Sequence, residues 1–142
     1  MKRKIFIEII CALFILLFVY AALTKIEDFE KFRVQLGNSP IIAPLANWMA
    51  WIIPILEISI TLLFFFKRFQ LIALYASFSL MVMFSTYIVA IIKFSEYIPC
   101  SCGGILQNMT WNEHLLFNIG FVFLGIVGIL LYPTKNDLFI AQ

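Results

Sequence analysis

Four apolar runs, at about residues 5–23, 45–66, 69–92 and 115–132, constrain this chain more than any other feature. Each approaches or exceeds the roughly 20 residues that cross a hydrocarbon core about 30 Å thick. With 63% hydrophobic and 13% charged residues among 142, no segment remains that could build a water-soluble core. In lipid every backbone polar group must be satisfied within its own segment, and the runs lack the apolar-polar alternation of barrel strands, so they are predicted to be helices. The expected fold class is all-α: an integral membrane bundle of four transmembrane helices surrounded by membrane lipid, a single domain over residues 1–142, with loops at 24–44 and 93–114.

Basic residues set the expected orientation. Lys2, Arg3 and Lys4 precede the first run, Lys67 and Arg68 form the tight turn between the second and third, and Lys135 follows the fourth. The other two loops hold Lys25, Lys31, Arg33 and Lys93, diluted by Glu27, Asp28, Glu30, Glu96 and Glu113. The positive-inside rule puts both termini and the Lys67-Arg68 turn in the cytoplasm of a bacterium, with loops 24–44 and 93–114 on the outer side of its inner membrane. A net charge of +2 with no basic patch gives no sign of a nucleic-acid partner. The first run, with Lys2-Arg3-Lys4 before it and Ala21-Ala22 near its end, also has the outline of a secretory signal peptide, but its apolar core is longer than such peptides carry and a retained helix is expected. Glu8 lies one turn after Lys4, a spacing at which the two can pair.

Between the first two runs, Thr24-Lys25-Ile26-Glu27 has the form of a capping box and Gly37-Asn38 that of a helix stop. Ile26, Phe29, Phe32 and Leu36 fall near one face, as in a short amphipathic helix lying in the interface and covering the bundle mouth. Pro40 and Pro44 break the chain, and Trp48 and Trp51 suit an outer aromatic belt. Near the fourth run, Thr110-Trp111-Asn112-Glu113 reads as a second capping box and sets His114 in the first turn of that helix.

Thiol chemistry centres on Pro99-Cys100-Ser101-Cys102-Gly103-Gly104 in the loop 93–114. A disulfide closing so small a ring stabilises by only about 1.6 kcal/mol on the chain-entropy formula, before strain is subtracted. Strained, exposed disulfides are the oxidising ones, suited to exchange through a mixed disulfide, and an oxidising outer compartment lets the pair persist. A soft-metal or metalloid site on Cys100, Cys102 and His114 is the competing chemistry, though it lacks a fourth ligand. His114 is alternatively an interfacial or hydrogen-bonding residue, or a group that stabilises a thiolate. Cys11, in the cytoplasmic half of the first helix, is a packing residue that cannot join the pair.

Glu57 stands out as the single charge in the second run, about 9 Å below Trp51 at 1.5 Å per residue. Two readings of it stand: a structural ion pair with Lys25, whose stem can reach down from the end of the first helix, and a proton-handling group. Pro54 is expected to kink the helix just above it and open a cavity. Asn118 is a candidate interhelical hydrogen-bonding residue, and Gly120, Gly125 and Gly128 are candidate close-contact positions.

The stretches Tyr20-Ala21-Ala22-Leu23-Thr24-Lys25-Ile26 and Trp51-Ile52-Ile53-Pro54-Ile55-Leu56-Glu57, in that order before Cys100-Ser101-Cys102-Gly103-Gly104, resemble the DoxX and MauE membrane proteins. The resemblance runs from about residue 5 to 132. Two positions depart from the family pattern: Ala22 stands where a Gly is expected and Gly103 where an aromatic is. The resemblance implies a redox-associated four-helix inner-membrane protein that supports disulfide chemistry on exported substrates, often beside a thioredoxin-like protein. It implies Cys100 and Cys102 as the redox pair, with Lys25 and Glu57 as the membrane polar residues. A more distant analogy, to the quinone-coupled disulfide-forming bundles of the DsbB and vitamin K epoxide reductase type, makes a quinone the candidate cofactor on fold-level grounds alone.

Together these readings give an expected thiol-disulfide redox protein that exchanges electrons with a thioredoxin-like or cysteine-containing exported partner. Two alternatives are a non-catalytic scaffold subunit of an export or maturation complex and a soft-metal or metalloid binding membrane protein.

Overall fold

The computed structural model describes residues 1–94 and 110–133. These form five helices: α1 (Lys2–Glu27), α2 (Phe29–Gly37), α3 (Ala46–Phe65), α4 (Gln70–Phe94) and α5 (Trp111–Leu131), with single 3-10 turns at Ala43–Leu45 and Lys67–Phe69. All but α2 are long and apolar enough to cross a membrane, and no strand occurs among the described residues. The expected all-α bundle of four spans is therefore what the chain builds.

Both faces of each long helix are apolar, so polarity cannot tell core from exterior as it does in a water-soluble helix. Packing does so instead. On α1, Ile7, Ile10, Cys11, Phe14, Phe18 and Ala22 follow the i, i+3, i+4 pattern of one helix face and are buried, while Phe6, Ile9, Leu13, Leu16 and Leu23 point outward. Neighbouring helices close a ring: α1 lies against α3, α3 against α4, α4 against α5, and α5 back against α1. Two glycines allow the last approaches. A Cβ at Gly128 would stand 3.2 Å from both Ile10 and Leu74, and one at Gly125 would stand 3.4 Å from Phe78. Gly120 departs from the expectation of close contact, since a Cβ there meets nothing within 4 Å. It lies instead along an open apolar groove of about 560 Å³ with Leu116, Phe117, Phe121 and Leu124.

The core is aromatic at its centre. Phe14 is completely buried, stacked on Phe18 at 5.9 Å and Phe64 at 6.2 Å, with Phe121 edge-on at 5.4 Å. Leu74, Leu80 and Met81 fill the space around these rings. Cys11 sits in the same cluster, 4% exposed, which agrees with its reading as a packing residue.

At one end of the bundle, the terminal end, three contacts tie the start of α1 to the turn before α4 and the close of α5. Arg3 Nε donates to the Leu131 carbonyl at 2.5 Å, Lys67 Nζ lies 3.2 Å from Glu8 Oε1, and the Tyr132 hydroxyl donates to the Lys67 carbonyl at 3.2 Å. Glu8 thus finds its partner in the neighbouring turn, where sequence spacing pointed to Lys4. The chain brings Lys67 close because the Lys67–Phe69 turn reverses α3 into α4 directly beside α1.

At the other end, α2 lies against the first turns of α3, burying Phe32 and Leu36 on Ala46 and Ala50. The small alanines let it approach closely. The interfacial helix therefore exists, but its start differs from the expectation at Thr24-Lys25-Ile26-Glu27. α1 continues to Glu27, and Thr24 donates its hydroxyl to the Ala21 carbonyl inside the helix rather than capping a new one. The break falls at Asp28, and Ile26 remains an exposed residue of α1. α3 runs unbroken through Pro54, which is buried on the core face. Trp48 and Trp51 are 71% and 61% exposed, as an aromatic belt requires, and Phe29 packs on Trp51 at 4.6 Å.

Candidate functional site

Helical periodicity directs two charged residues inward. On α1 the buried positions Phe14, Phe18 and Ala22 continue to Lys25, and on α3 Ala50, Pro54 and Thr61 share their face with Glu57. The two meet where α1 ends beside α3. Lys25 Nζ lies 2.7 Å from Glu57 Oε1, with the lysine side chain 15% exposed and the glutamate 0% exposed. Lys25 also donates to the Ala21 carbonyl at 3.3 Å. Its ammonium stands 5.8 Å from the ring centroids of both Phe32 of α2 and Phe84 of α4, close enough for cation-π attraction.

His114 lies in the first turn of α5. The Thr110 box that sets its position forms as expected: Thr110 Oγ1 accepts from the Glu113 N–H at 3.3 Å, and the Thr110 N–H donates to Glu113 Oε2 at 2.8 Å. This cap starts α5 and turns His114 toward the bundle, its ring stacked on Trp111 at 6.2 Å. Four helices thus contribute to the pair: Lys25 from α1, Phe32 from α2, Glu57 from α3 and Phe84 from α4. Of the sequence candidates, the structure brings Lys25 and Glu57 together, and sets His114 in the first turn of α5. Cys100 and Cys102 lie outside the described residues. Phe84 and the Ala21 carbonyl were not singled out in the sequence. A signal for Phe84 exists, because it falls four residues after Leu80 and four before Ile88, both buried.

Glu57 Oε2, His114 Nδ1 and Ser39 Oγ are buried without a hydrogen-bond partner among the described residues. Glu57 is held along its backbone, its carbonyl accepting from Thr61 Oγ1 at 2.8 Å, so the carboxylate is fixed at one oxygen and open at the other. Beneath it the bundle is filled by Phe14, Phe18 and Phe64. Asn118, one turn beyond His114, is buried at 4%. Among the described residues no three His, Cys, Asp or Glu side chains group as metal ligands. The three-ligand grouping weighed from sequence needs Cys100 and Cys102 and so falls outside the described residues.

A family model described as methylamine utilisation protein MauE matches residues 3–131. No curated protein and no solved structure matches the chain.

Proposed function

The chain belongs to the MauE family, and on that premise we propose that this multi-pass membrane protein is a thiol-disulfide exchange protein of the bacterial inner membrane, acting through Cys100 and Cys102 on a thioredoxin-like or cysteine-containing exported partner. The observation that carries the reading is a Cys-Ser-Cys sequence in the stretch of chain between α4 and α5 of a MauE-family protein. A pair one residue apart holds little of the fold together, and its strain makes it an oxidant for exchange. Lys2, Arg3, Lys4, Lys67 and Arg68 gather at the terminal end, which supports a cytoplasmic location for that end and an outer location for the Cys segment. The Cys segment then faces an oxidising compartment.

Exchange proceeds through a mixed disulfide that the second thiol resolves. With Cys100 as the attacking thiol, Cys102→Ser accumulates a reductant-sensitive adduct with its partner on a non-reducing gel, and Cys100→Ser accumulates much less. The reverse pattern exchanges the two roles. A double Cys100→Ser/Cys102→Ser variant that retains full function, with no adduct from either single variant, overturns exchange in favour of a scaffold subunit. Stoichiometric soft-metal binding that the double substitution abolishes favours the metal reading.

A further inference from the structure

We propose that the terminal end of the bundle holds a binding site for the phosphate headgroup of an anionic phospholipid, formed by Lys4 of α1 and by Lys67 and Arg68 of the turn between α3 and α4. This site stands apart from the thiol chemistry, since none of its residues belongs to the stretch between α4 and α5.

Among the described residues the terminal end carries Lys2, Arg3, Lys4, Lys67 and Arg68, all exposed, against the single carboxylate of Glu8. The opposite end is mixed, with Glu27, Asp28 and Glu30 standing among Lys25, Lys31 and Arg33. Ion pairs among the described residues engage Lys25, Arg33 and Lys67, so Lys4 and Arg68 keep no carboxylate partner there. Uncompensated cations crowded together repel one another, and an anion seated between them relieves that repulsion.

Basic residues at one membrane face set orientation wherever they lie in their loops, but collecting them into one place takes tertiary contacts. Three such contacts are present. Arg3 Nε donates to the Leu131 carbonyl, and the hydroxyl of the next residue, Tyr132, donates to the Lys67 carbonyl, so the close of α5 ties the start of α1 to the turn. Lys67 Nζ then meets Glu8 Oε1 at 3.2 Å. Lys4 precedes Glu8 by one helical turn and shares its face, so Lys4 and Lys67 flank the same side of α1. An ammonium has three donors, and a contact with Glu8 leaves Lys67 two for a second acceptor. The turn itself is held: the Phe69 N–H donates to the Phe66 carbonyl at 2.9 Å, and the buried Gln70 donates from Nε2 to the Phe64 carbonyl at 3.3 Å. Backbone fixed before a ligand arrives lowers the ordering cost of binding.

Arg68 supplies the specific donor. Its guanidinium stands 5.8 Å from the Phe69 ring centroid, and its planar fork matches two oxygens of one phosphate. The surrounding surface selects a lipid over a free anion. Phe6, Leu62, Phe65 and Phe66 are exposed and continue an apolar surface from these cations down the wall of the bundle, where acyl chains lie. A phospholipid uses both the cations and this wall, as headgroups do in basic pockets at the ends of membrane helices.

The test uses the full chain in zwitterionic detergent, titrated separately with dioleoylphosphatidylglycerol and dioleoylphosphatidylcholine. Native mass spectrometry counts bound lipid, and thermal unfolding is followed in parallel. The wild type is expected to retain a single phosphatidylglycerol saturably and to melt at a higher temperature with it, while phosphatidylcholine does neither. A cation beside an anionic lipid is worth about 1 kcal/mol, or about fivefold in affinity, so Lys4→Gln and Arg68→Gln should each weaken retention about fivefold and the double variant about 30-fold. Lys31→Gln on α2 makes the same charge change at the other end and is expected to bind as the wild type does. All three positions are exposed, so the variants should melt like the wild type without added lipid. Undiminished retention in Lys4→Gln/Arg68→Gln overturns the site, and equal weakening by Lys31→Gln and Arg68→Gln overturns it by reducing the effect to net charge. Stabilisation of the wild type by inorganic phosphate or polyglutamate at the concentrations at which phosphatidylglycerol acts overturns the lipid as occupant in favour of a free anion or an acidic protein.

Discussion

Lys25 and Glu57 meet at 2.7 Å across the α1–α3 boundary with unequal surroundings: the carboxylate is wholly buried, while the ammonium keeps an exposed edge and a second acceptor in the Ala21 carbonyl. The pair is therefore not symmetric under substitution. Removing the cation strands a buried carboxylate, whereas removing the carboxylate charge leaves an ammonium that still has a partner and some access to water.

Lys25→Met is accordingly expected to destabilise the folded protein by about 3–5 kcal/mol, the range for an orphaned buried charge. Glu57→Gln, which keeps the shape and an acceptor for Lys25, is expected to cost less. The double variant Lys25→Met/Glu57→Gln should be more stable than Lys25→Met alone, with a coupling of about 0.5–3 kcal/mol between the sites. Thermal unfolding of the detergent-solubilised variants measures all three. A Glu57→Gln loss as large as that of Lys25→Met would contradict the asymmetry.

How much of this was legible in the sequence depends on the range of each interaction. Features local to one helix were readable: Glu57 is the single charge of its run, Lys25 stands at the end of the first helix within reach of it, and the Thr110 box forms with its Glu113 partner. The Thr24 box failed because the same Thr-x-x-Glu pattern fits a helix interior, where a threonine hydroxyl bonds back to a carbonyl of the preceding turn. Partners remote in sequence were not readable. Glu8 chose Lys67, 59 residues away, because a reversal of the chain set the two side by side. Gly120 was grouped with Gly125 and Gly128 by composition, yet which face of α5 meets a neighbour is decided by packing between helices that are apolar all round.

The two glycines give a direct test of that packing. Gly128→Leu is expected to force Ile10 and Leu74 apart and to cost at least about 1–3 kcal/mol, as overpacked cores do. Gly120→Leu extends into the open groove and, by replacing glycine in a helix, is expected to be neutral or to stabilise by up to about 1 kcal/mol. Paired melting curves decide the matter, and equal losses in the two variants would refute the arrangement of α5 against α1 and α4.

The cap at Thr110 positions His114 and is testable apart from any thiol chemistry. Thr110→Ala removes the acceptor for the Glu113 N–H and is expected to cost about 1 kcal/mol, while Thr110→Ser retains it and costs little. An unchanged stability in Thr110→Ala would show that α5 starts without help from this hydroxyl.

Topology is decided by which thiols water reaches from outside the cell. Cys11 is 4% exposed within the aromatic core, on the terminal side of Phe14, so a membrane-impermeant reagent cannot reach it from either face. With the Lys67-Arg68 turn in the cytoplasm, labelling of intact, reduced cells is expected to modify Cys100 and Cys102 and to spare Cys11. Single cysteines placed in a background lacking the native three extend the test: Lys31→Cys on α2 should label from outside, and Arg68→Cys should label only after the membrane is opened. Both positions are exposed, so a negative result at either reflects the side of the membrane rather than burial. Labelling of Arg68→Cys in intact cells, with Lys31→Cys protected, would invert the bundle and place the Cys pair in the cytoplasm, where a strained disulfide does not persist.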